Sequence, residues 1–156
     1  MHLLVNNAGI GAGGSPWEAT WNDWERVIGV NLCGVIHRAK VFTPLTVAQN
    51  VECHIVNPPS AAGLTVGGWS ASYSMTKYAV VDLSQSLYLT LQRRSAVVKV
   101  SVLCPGLVRT NIVNSERNRP AGLRNEPVEM TPARQAGLNL FRVAIEAAMP
   151  PHKWPT

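Results

Sequence analysis

The sequence predicts an α/β fold built on a parallel, doubly wound sheet. Three short apolar runs, at residues 3–7, 54–57 and 97–104, have the length and composition of buried strands. Segments with helical periodicity lie between them, and strands that alternate with helices pair in parallel. With 156 residues the chain is long enough for a single domain with a real core.

Composition and charge argue against several classes of protein. Apolar residues make up 46% of the chain, yet no run approaches the about 20 apolar residues that a membrane span needs. No basic-then-apolar leader opens the chain, so no signal peptide is expected. The net charge is +5, but the basic residues are scattered. They can help to attract a phosphate-bearing cofactor and do not indicate a nucleic-acid partner.

The cysteines indicate a reducing compartment. Cys33, Cys53 and Cys104 are odd in number and lie in apolar surroundings. We interpret them as buried free thiols, which predicts a cytoplasmic protein. Their spacing matches no metal site, so no metal is expected.

A glycine-rich turn, and not a dinucleotide fingerprint, follows the first strand. Gly9, Gly11 and Gly14 satisfy the spacing G-x-G-x-x-G, but Ser15-Pro16-Trp17 comes next. A fingerprint must open a helix at once. We therefore predict a flexible turn at which the backbone passes close to a bound ligand.

The first helix begins at a capping box. Thr20 and Asp23 have the required spacing. Apolar residues then repeat at helical spacing, and Pro44 is expected to kink or end the regular part. Asn31 falls on the apolar face of this helix. Because a buried amide without a partner is costly, Asn31 needs one, and a backbone carbonyl is the simplest.

A serine, a tyrosine and a lysine form the candidate catalytic group. Ser60 follows the second strand, at the strand end where open α/β sheets place their ligands. Tyr73 and Lys77 are four residues apart, so in a helix they share one face. A nearby ammonium lowers the pKa of a phenol, and carbonyl reduction and alcohol oxidation both need a proton donor tuned towards neutrality.

Other interpretations of these residues stay open at this point. On spacing alone, Tyr73 and Lys77 could be an exposed helix pair. A serine could instead be a nucleophile, which would need a G-x-S-x-G elbow and a partner histidine. The nearest match, at residues 68–72, lacks the last glycine, and the four histidines have no triad-like setting.

The rest of the chain continues the same alternation. Residues 61–72 are small and predict a loop that lines the substrate pocket, and the helix at 73–91 follows. Pro105-Gly106 ends the third strand sharply. Residues 111–131 are polar and predict a mobile substrate lid. Thr131 and Pro132 then start a helix that runs from residue 135 to about 148, and the tail at 150–156 is expected to fray.

Five motifs in this order resemble the short-chain dehydrogenase/reductase family. They are Asn-Asn-Ala-Gly at residues 6–9, the helix asparagine Asn31, Ser60, Tyr-x-x-x-Lys at residues 73–77, and Pro-Gly-x-Val-x-Thr at residues 105–110. The resemblance runs from the first residue to about Thr110 and is more diffuse after it. It implies a Rossmann-type sheet over residues 1–156, of which this chain holds the catalytic half.

The resemblance also implies an activity and a set of site residues. The activity is NAD(P)-dependent hydride transfer that interconverts a small-molecule alcohol and a carbonyl. The catalytic residues would be Asn31, Ser60, Tyr73 and Lys77. Contacts with NAD or NADP would come from Asn7, Ala8, Gly9, Tyr73, Lys77, Pro105, Gly106, Val108 and Thr110. The family commonly packs the helices at 21–49 and 73–91 between subunits, so a homo-oligomer is expected.

Each catalytic residue has a role by this resemblance. The tyrosine exchanges a proton with the substrate oxygen, and the lysine lowers its pKa and holds the nicotinamide ribose. The serine hydrogen-bonds the substrate oxygen, and the asparagine holds a water that completes a proton relay. Pro58-Pro59, directly before Ser60, departs from the small polar residues that the family usually has there.

The chain opens at the strand that is fourth in the family's sheet. Strands 1–3 and the glycine-rich phosphate loop of the family are absent from it, so strands 4–6 with their helices remain. The first strand is then an apolar edge, and the pyrophosphate lacks its helix N-terminus. We expect Met1 to be an internal methionine of a longer protein. The alternative function is an inactive fragment that acts only as an assembly or interaction partner.

Overall fold

A parallel sheet of three strands, in the order β1-β2-β3, organises the chain. β1 spans Leu3–Val5, β2 spans Cys53–Asn57 and β3 spans Val98–Val102. The computed structural model describes residues 1–66, 70–94, 96–127 and 129–153. Predictions that fall on Gly68, Trp69, residue 128 of the lid and residues 154–156 of the tail lie outside the described residues. The predicted α/β fold, a partial Rossmann-type sheet, is confirmed.

Four helices accompany the sheet among the described residues. They are α1 (Trp21–Ile28), α2 (Gly34–Gln49), α3 (Ala71–Arg93) and α4 (Pro132–Ala147). A π-helical turn at Gly29–Cys33 joins α1 to α2. Shorter 3₁₀ turns lie at Ala61–Gly63, Asn111–Asn118, Ala121–Leu123 and Pro151–Lys153. The predicted Thr20–Asp23 capping box and the Thr131 cap with Pro132 in the first turn are both confirmed.

The core lies between one face of the sheet and two helices. Leu4, Ile55 and Val100 are in register across the three strands. Val47 of α2 and Leu91 of α3 pack against this row. Full burial of a side chain such as Ile55 stabilises the fold by roughly 2–3 kcal/mol. Both helices are therefore held on the same face of the sheet.

β1 is an edge strand, as predicted. It pairs with β2, and its Leu3 and Val5 side chains are 58% and 47% exposed. Such an edge offers unpaired backbone groups beside apolar side chains, which favours pairing with a further strand.

Some boundaries differ from the prediction. α2 continues through Pro44 to Gln49, so the proline does not end it. Pro44 removes one backbone donor from the helix. The turn that follows offsets this loss, because it buries Thr46 completely and packs Val47 on the core. β1 is shorter than predicted, although the backbone N–H of Asn6, just after the strand, still donates to the Val56 carbonyl over 2.9 Å.

The expected burial of the three cysteines needs revision. Cys53 is buried, but Cys33 and Cys104 are partly exposed because they lie beyond the packed core, so the prediction of three buried thiols is wrong for those two. The segment at 111–131 contains two 3₁₀ turns, and its role as a mobile substrate lid stays a prediction. No helix in the described part of the chain is long and apolar enough to cross a membrane.

Candidate active site

Tyr73 and Lys77 lie in the first two turns of α3. The Ser70 hydroxyl caps this helix by accepting a hydrogen bond from the Tyr73 amide over 3.3 Å. The Lys77 ammonium lies over the Tyr73 ring, 5.2 Å from its centroid. The predicted shared face is therefore present in the structure. Lys77 is only 7% exposed, which is inconsistent with an exposed helix pair.

Lys77 is buried without a counterion. Burial lowers the pKa of Lys77 from 10.5 to about 8. Within residues 1–66, 70–94, 96–127 and 129–153, no carboxylate pairs with this ammonium, and the ammonium donates no hydrogen bond. Buried cations are normally paired, so the ammonium is available to a ligand.

Tyr73 is half-buried, and its environment raises its pKa. Burial is the larger cause, and a hydrogen bond from the Ser60 hydroxyl acts in the opposite direction. The prediction that Lys77 lowers this pKa is wrong for the chain without a ligand. The reason is burial, which disfavours the charged phenolate and is the largest cause of the shift. The phenol is thus protonated at neutral pH.

Ser60 joins the ends of β2 and β3 to the tyrosine. Its φ of 119° is in a region that non-glycine residues rarely adopt, and it directly follows Pro58-Pro59. The Ser60 hydroxyl accepts a hydrogen bond from the Ala62 amide over 3.2 Å. The backbone N–H of Ala61, the residue directly after Ser60, donates to the Pro105 carbonyl over 2.8 Å. Contacts on both sides hold this strained residue in place, close enough to Tyr73 to affect the pKa of the phenol.

Asn31 is buried in the π-helical turn, and its side chain is hydrogen-bonded to the turn after β1. Its amide accepts from the Ile10 N–H over 2.9 Å and donates to the Ile10 carbonyl over 3.0 Å. A longer contact of 3.4 Å reaches the Thr76 hydroxyl. The backbone carbonyl expected as its partner is therefore present. The water-holding role of Asn31 stays a prediction.

Gly9 faces the same site from the turn after β1. A Cβ atom built on Gly9 would lie 3.3 Å from the Lys77 Nζ and 3.8 Å from the Asn31 Oδ1. A side chain at this position would occupy the space beside the ammonium. Because position 9 is a glycine, the turn leaves open the space beside the Lys77 ammonium, where a ligand could pass close to the backbone.

Two residues that support the site were missed by the sequence analysis. Thr76 is fully buried, and its hydroxyl donates to the Tyr73 carbonyl over 2.7 Å. Gly63 packs so closely on α3 that a Cβ there would lie 2.7 Å from the Lys77 carbonyl. The position of Thr76, a polar residue between Tyr73 and Lys77, was the signal that could have identified it. Nothing local in the sequence indicates that Gly63 contacts α3.

A buried chain of amides fixes the strand ends beneath the site. The side-chain amide of Asn6 donates to the side-chain oxygen of Asn57 over 2.7 Å, and the side-chain amide of Asn57 donates to the Ser84 hydroxyl over 2.8 Å. Ser84 in turn donates to the Val80 carbonyl over 2.6 Å. The end of β1, the end of β2 and the middle of α3 are thereby held together, which explains why loops from the strands meet α3 at Tyr73.

The structure brings together part of the predicted site. Gly9, Asn31, Ser60, Tyr73 and Lys77 converge, and Pro105 is connected to them through Ala61. The other predicted cofactor residues are placed nearby on loops: Asn7, Ala8, Gly106 and Thr110 are exposed, and Val108 pairs with Met149 in an isolated bridge. Among the described residues, no hydrogen bond joins these five to the converged group.

Known proteins with a similar sequence share most of this chain. A family model described as short chain dehydrogenase matches residues 1–121. A CLA biosynthesis dehydrogenase/reductase of Lactiplantibacillus plantarum is 35% identical over 121 residues, which is 78% of this chain and 42% of that protein. A meso-2,3-butanediol dehydrogenase of Serratia marcescens is 37% identical over 115 residues, or 73% of this chain and 44% of that protein.

A similar solved structure agrees with these matches. It is a short chain dehydrogenase/reductase from Burkholderia phymatum in complex with NAD, with 44% identity and a TM-score of 0.89. The match covers 94% of this chain and 52% of that one. The chain therefore spans about half the length of the relatives that it matches.

Proposed function

Because the chain belongs to the short-chain dehydrogenase family, we propose that it is the catalytic half of an NAD(P)-dependent oxidoreductase. The reaction interconverts an alcohol and a carbonyl on a small-molecule substrate. The observation that supports this proposal is the convergence of Ser60, Tyr73 and Lys77 at the C-terminal edge of the sheet, with Asn31 behind them.

The residues present fit the nicotinamide half of such a cofactor. Lys77 offers a buried ammonium without a counterion among the described residues, and Gly9 leaves space beside it. A neutral sugar suits this space, because its hydroxyl groups can accept hydrogen bonds from the ammonium. Lys77 and Tyr73 would hold the ribose. The backbone at Asn7, Ala8, Gly9, Pro105 and Gly106 would border the ring, with Val108 and Thr110 beside it. When bound, the nicotinamide supplies or accepts the hydride. The NAD in the Burkholderia phymatum structure supports a cofactor of this class, NAD or NADP.

The side chains of this chain handle the proton. The Ser60 hydroxyl orients the substrate oxygen towards the Tyr73 phenol. The Tyr73 phenol is protonated at neutral pH and can donate its proton to a carbonyl oxygen as that oxygen gains charge; burial holds its pKa above the ordinary value in the chain without a ligand. The reverse reaction needs the phenolate, which the Lys77 ammonium favours once a ligand draws both groups together. Asn31 positions the turn that carries Gly9 and holds the relay water.

Three further features belong to this proposal. We propose that residues 111–131 act as the substrate lid. We propose a homo-oligomer through α1–α2 and α3, supported by exposed apolar side chains on both: Val41, Leu45, Tyr78, Tyr88 and Leu89. We also propose a cytoplasmic location, supported by the free thiols of Cys33, Cys53 and Cys104.

The second candidate function is a fragment without enzymatic activity that pairs with another subunit. The exposed edge of β1, with Leu3 and Val5, favours it. A serine hydrolase is disfavoured, because the Ser60 hydroxyl meets a tyrosine and not a histidine. The Ser70 hydroxyl is used as a helix cap.

Calorimetric titration of the 156-residue chain with NADH and NADPH tests the proposal. We expect micromolar binding that Lys77→Met weakens by at least about tenfold, since the ammonium would lose its contacts with the ribose. Lys99→Met is the matched control, because Lys99 is an exposed lysine paired with Glu52 on the surface of the sheet. Absence of binding by the wild-type chain would instead support the inactive fragment.

A further inference from the structure

A second polar site lies on the segment between β3 and α4. Glu116, Arg117, Arg119, Arg124 and Asn125 line a pocket of about 320 Å³, which we name the arginine pocket. The side chains that converge on Tyr73 are not part of it. Three guanidinium groups around one polar pocket are typical of sites that bind carboxylates or phosphates.

Most of the charge around the arginine pocket is already balanced. Glu116 pairs with Arg26 and with Arg119, each over 2.6 Å. Arg119 also pairs with Asp23 over 2.5 Å. Two acids and two bases thereby neutralise one another. Arg117 and Arg124 have no acidic partner among the described residues, so they leave an excess of two positive charges on the pocket.

Two of the three arginines, Arg117 and Arg119, are held in place before any ligand arrives. The Arg117 Nη1 donates to the carbonyls of Asn111 and Asn114 over 3.1 and 2.8 Å. The Arg119 Nη1 donates to the Leu123 carbonyl over 2.7 Å. Only part of the Arg117 fork is used by these bonds, because a guanidinium carries five donors. Preorganised donors lose little entropy when an anion binds.

The arginine pocket is connected to the candidate active site by a short path. The Gly11 amide donates to the Ser115 hydroxyl over 3.1 Å, and Ser115 precedes Glu116 in the chain. Gly11 is two residues from Gly9, which faces Lys77; this separation is at most about 8 Å between Cα atoms. The turn that borders Lys77 is thus in direct contact with the segment that carries the pocket, which supports a ligand that extends from one to the other.

We propose that the arginine pocket binds an anionic group, a carboxylate or phosphate, at the end of the substrate remote from its reacting oxygen. This inference deepens the function proposed above and rests on it. It predicts a hydroxy acid, an oxo acid or a phosphorylated alcohol as the substrate, and it makes Arg117 and Arg124 specificity residues.

Titration of the full chain with inorganic phosphate, followed by NMR shifts of the amides at 116–125, tests the site itself. We expect saturable millimolar binding that Arg117→Gln with Arg124→Gln weakens by about tenfold. Arg124→Gln alone should weaken it about threefold without a change in melting temperature, because the Arg124 side chain makes no hydrogen bond among the described residues. Arg94→Gln with Arg142→Gln removes the same charge elsewhere and should leave binding unchanged. Equal loss in both double variants, or no binding by the wild type, would overturn the site.

A steady-state assay then tests whether the anion belongs to the substrate. Arg124→Gln should raise KM for a carboxylated secondary alcohol by about threefold, with kcat retained, and should not affect the neutral alcohol of the same length. An equal KM change for both alcohols would overturn the assignment to the substrate. If the wild-type chain oxidises neither alcohol, the proposed function fails, whereas the phosphate titration still decides whether the pocket binds anions.

Discussion

Lys77 and Arg26 are both buried cations, 7% and 4% exposed, but their surroundings differ. Arg26 donates to the Ser115 carbonyl over 2.5 Å and to the Glu116 carboxylate over 2.6 Å. Lys77 has a tyrosine ring beneath it and no anion among the described residues. Removing a satisfied buried cation leaves its partners unpaired and costs stability, whereas an unsatisfied buried cation itself costs stability and is typical of a functional site. The comparison supports a structural role for Arg26 and the ligand-binding role proposed for Lys77.

The largest effect should come from removing the structural cation. Arg26→Met leaves the Ser115 carbonyl and Glu116 without their buried partner, and we expect a loss of roughly 3 kcal/mol in the free energy of unfolding. The value is at the low end of the range for buried pairs because the Glu116 side chain is 67% exposed. Urea denaturation at pH 7 measures the change. Lys77→Met is the matched variant and should be neutral or stabilising; a loss equal to that of Arg26→Met would contradict the comparison.

Overpacking beneath Lys77 should have the next largest effect. In Gly63→Ala the new Cβ would meet the Lys77 carbonyl at 2.7 Å and the Val81 Cγ2 at 3.1 Å. Backbone must shift to relieve this contact, and we expect a loss of about 2 kcal/mol together with weaker NADH binding. Gly13→Ala is the control, because a Cβ there meets nothing within 4 Å. Equal stability of the two variants would show that Gly63 does not set the position of α3.

The pH dependence of stability should expose the cost of Lys77. Its pKa is about 8 in the folded chain and 10.5 when unperturbed, so between these values the unfolded chain binds more protons. Stability therefore rises with pH across this window, by about 2 kcal/mol from pH 7 to 9.5. Above pH 10 the raised pKa of Tyr73 acts in the opposite direction. Urea denaturation of the wild type and of Lys77→Met measures the difference, and parallel pH profiles would contradict a buried, unpaired ammonium.

The smallest effect concerns the strained serine. At a φ of 119°, Ser60→Gly should relieve the strain and raise stability by about 1 kcal/mol. Ser60→Ala removes the hydroxyl but keeps the strain, so it should not stabilise the chain. Both variants should lose activity, since both lack the group that meets the Tyr73 phenol. Thermal unfolding of the pair is the measurement, and similar melting temperatures would argue against strain at this position.

The sequence predicted the features that depend on local pattern. Strand positions, the Thr20 and Thr131 caps and the shared face of Tyr73 and Lys77 follow from periodicity and capping chemistry, and they are confirmed. The carbonyl partner of Asn31 followed from the cost of burying an amide. Each of these features depends only on neighbouring residues or on the general cost of burying a polar group.

The sequence could not predict features that depend on distant contacts. Arg26 meets Glu116 across 90 residues, and Gly63 meets the backbone of Lys77 from a separate element. The direction of the Tyr73 pKa shift was wrong because it depends on burial, which spacing does not reveal. The φ of Ser60 depends on how β2 and β3 end together, through the bond from Ala61 to Pro105.

The central claim is that Lys77 is a buried ammonium kept free for a ligand. Titration of the lysine side-chain signals by NMR, with Lys77→Met to assign the resonance, tests it most directly. We predict a pKa of about 8 for Lys77 in the free chain, and a higher pKa when NADH is present, because ribose hydroxyls stabilise the charged form. A pKa near 10.5 that does not change with NADH would show that Lys77 is an ordinary solvated lysine and would contradict the account.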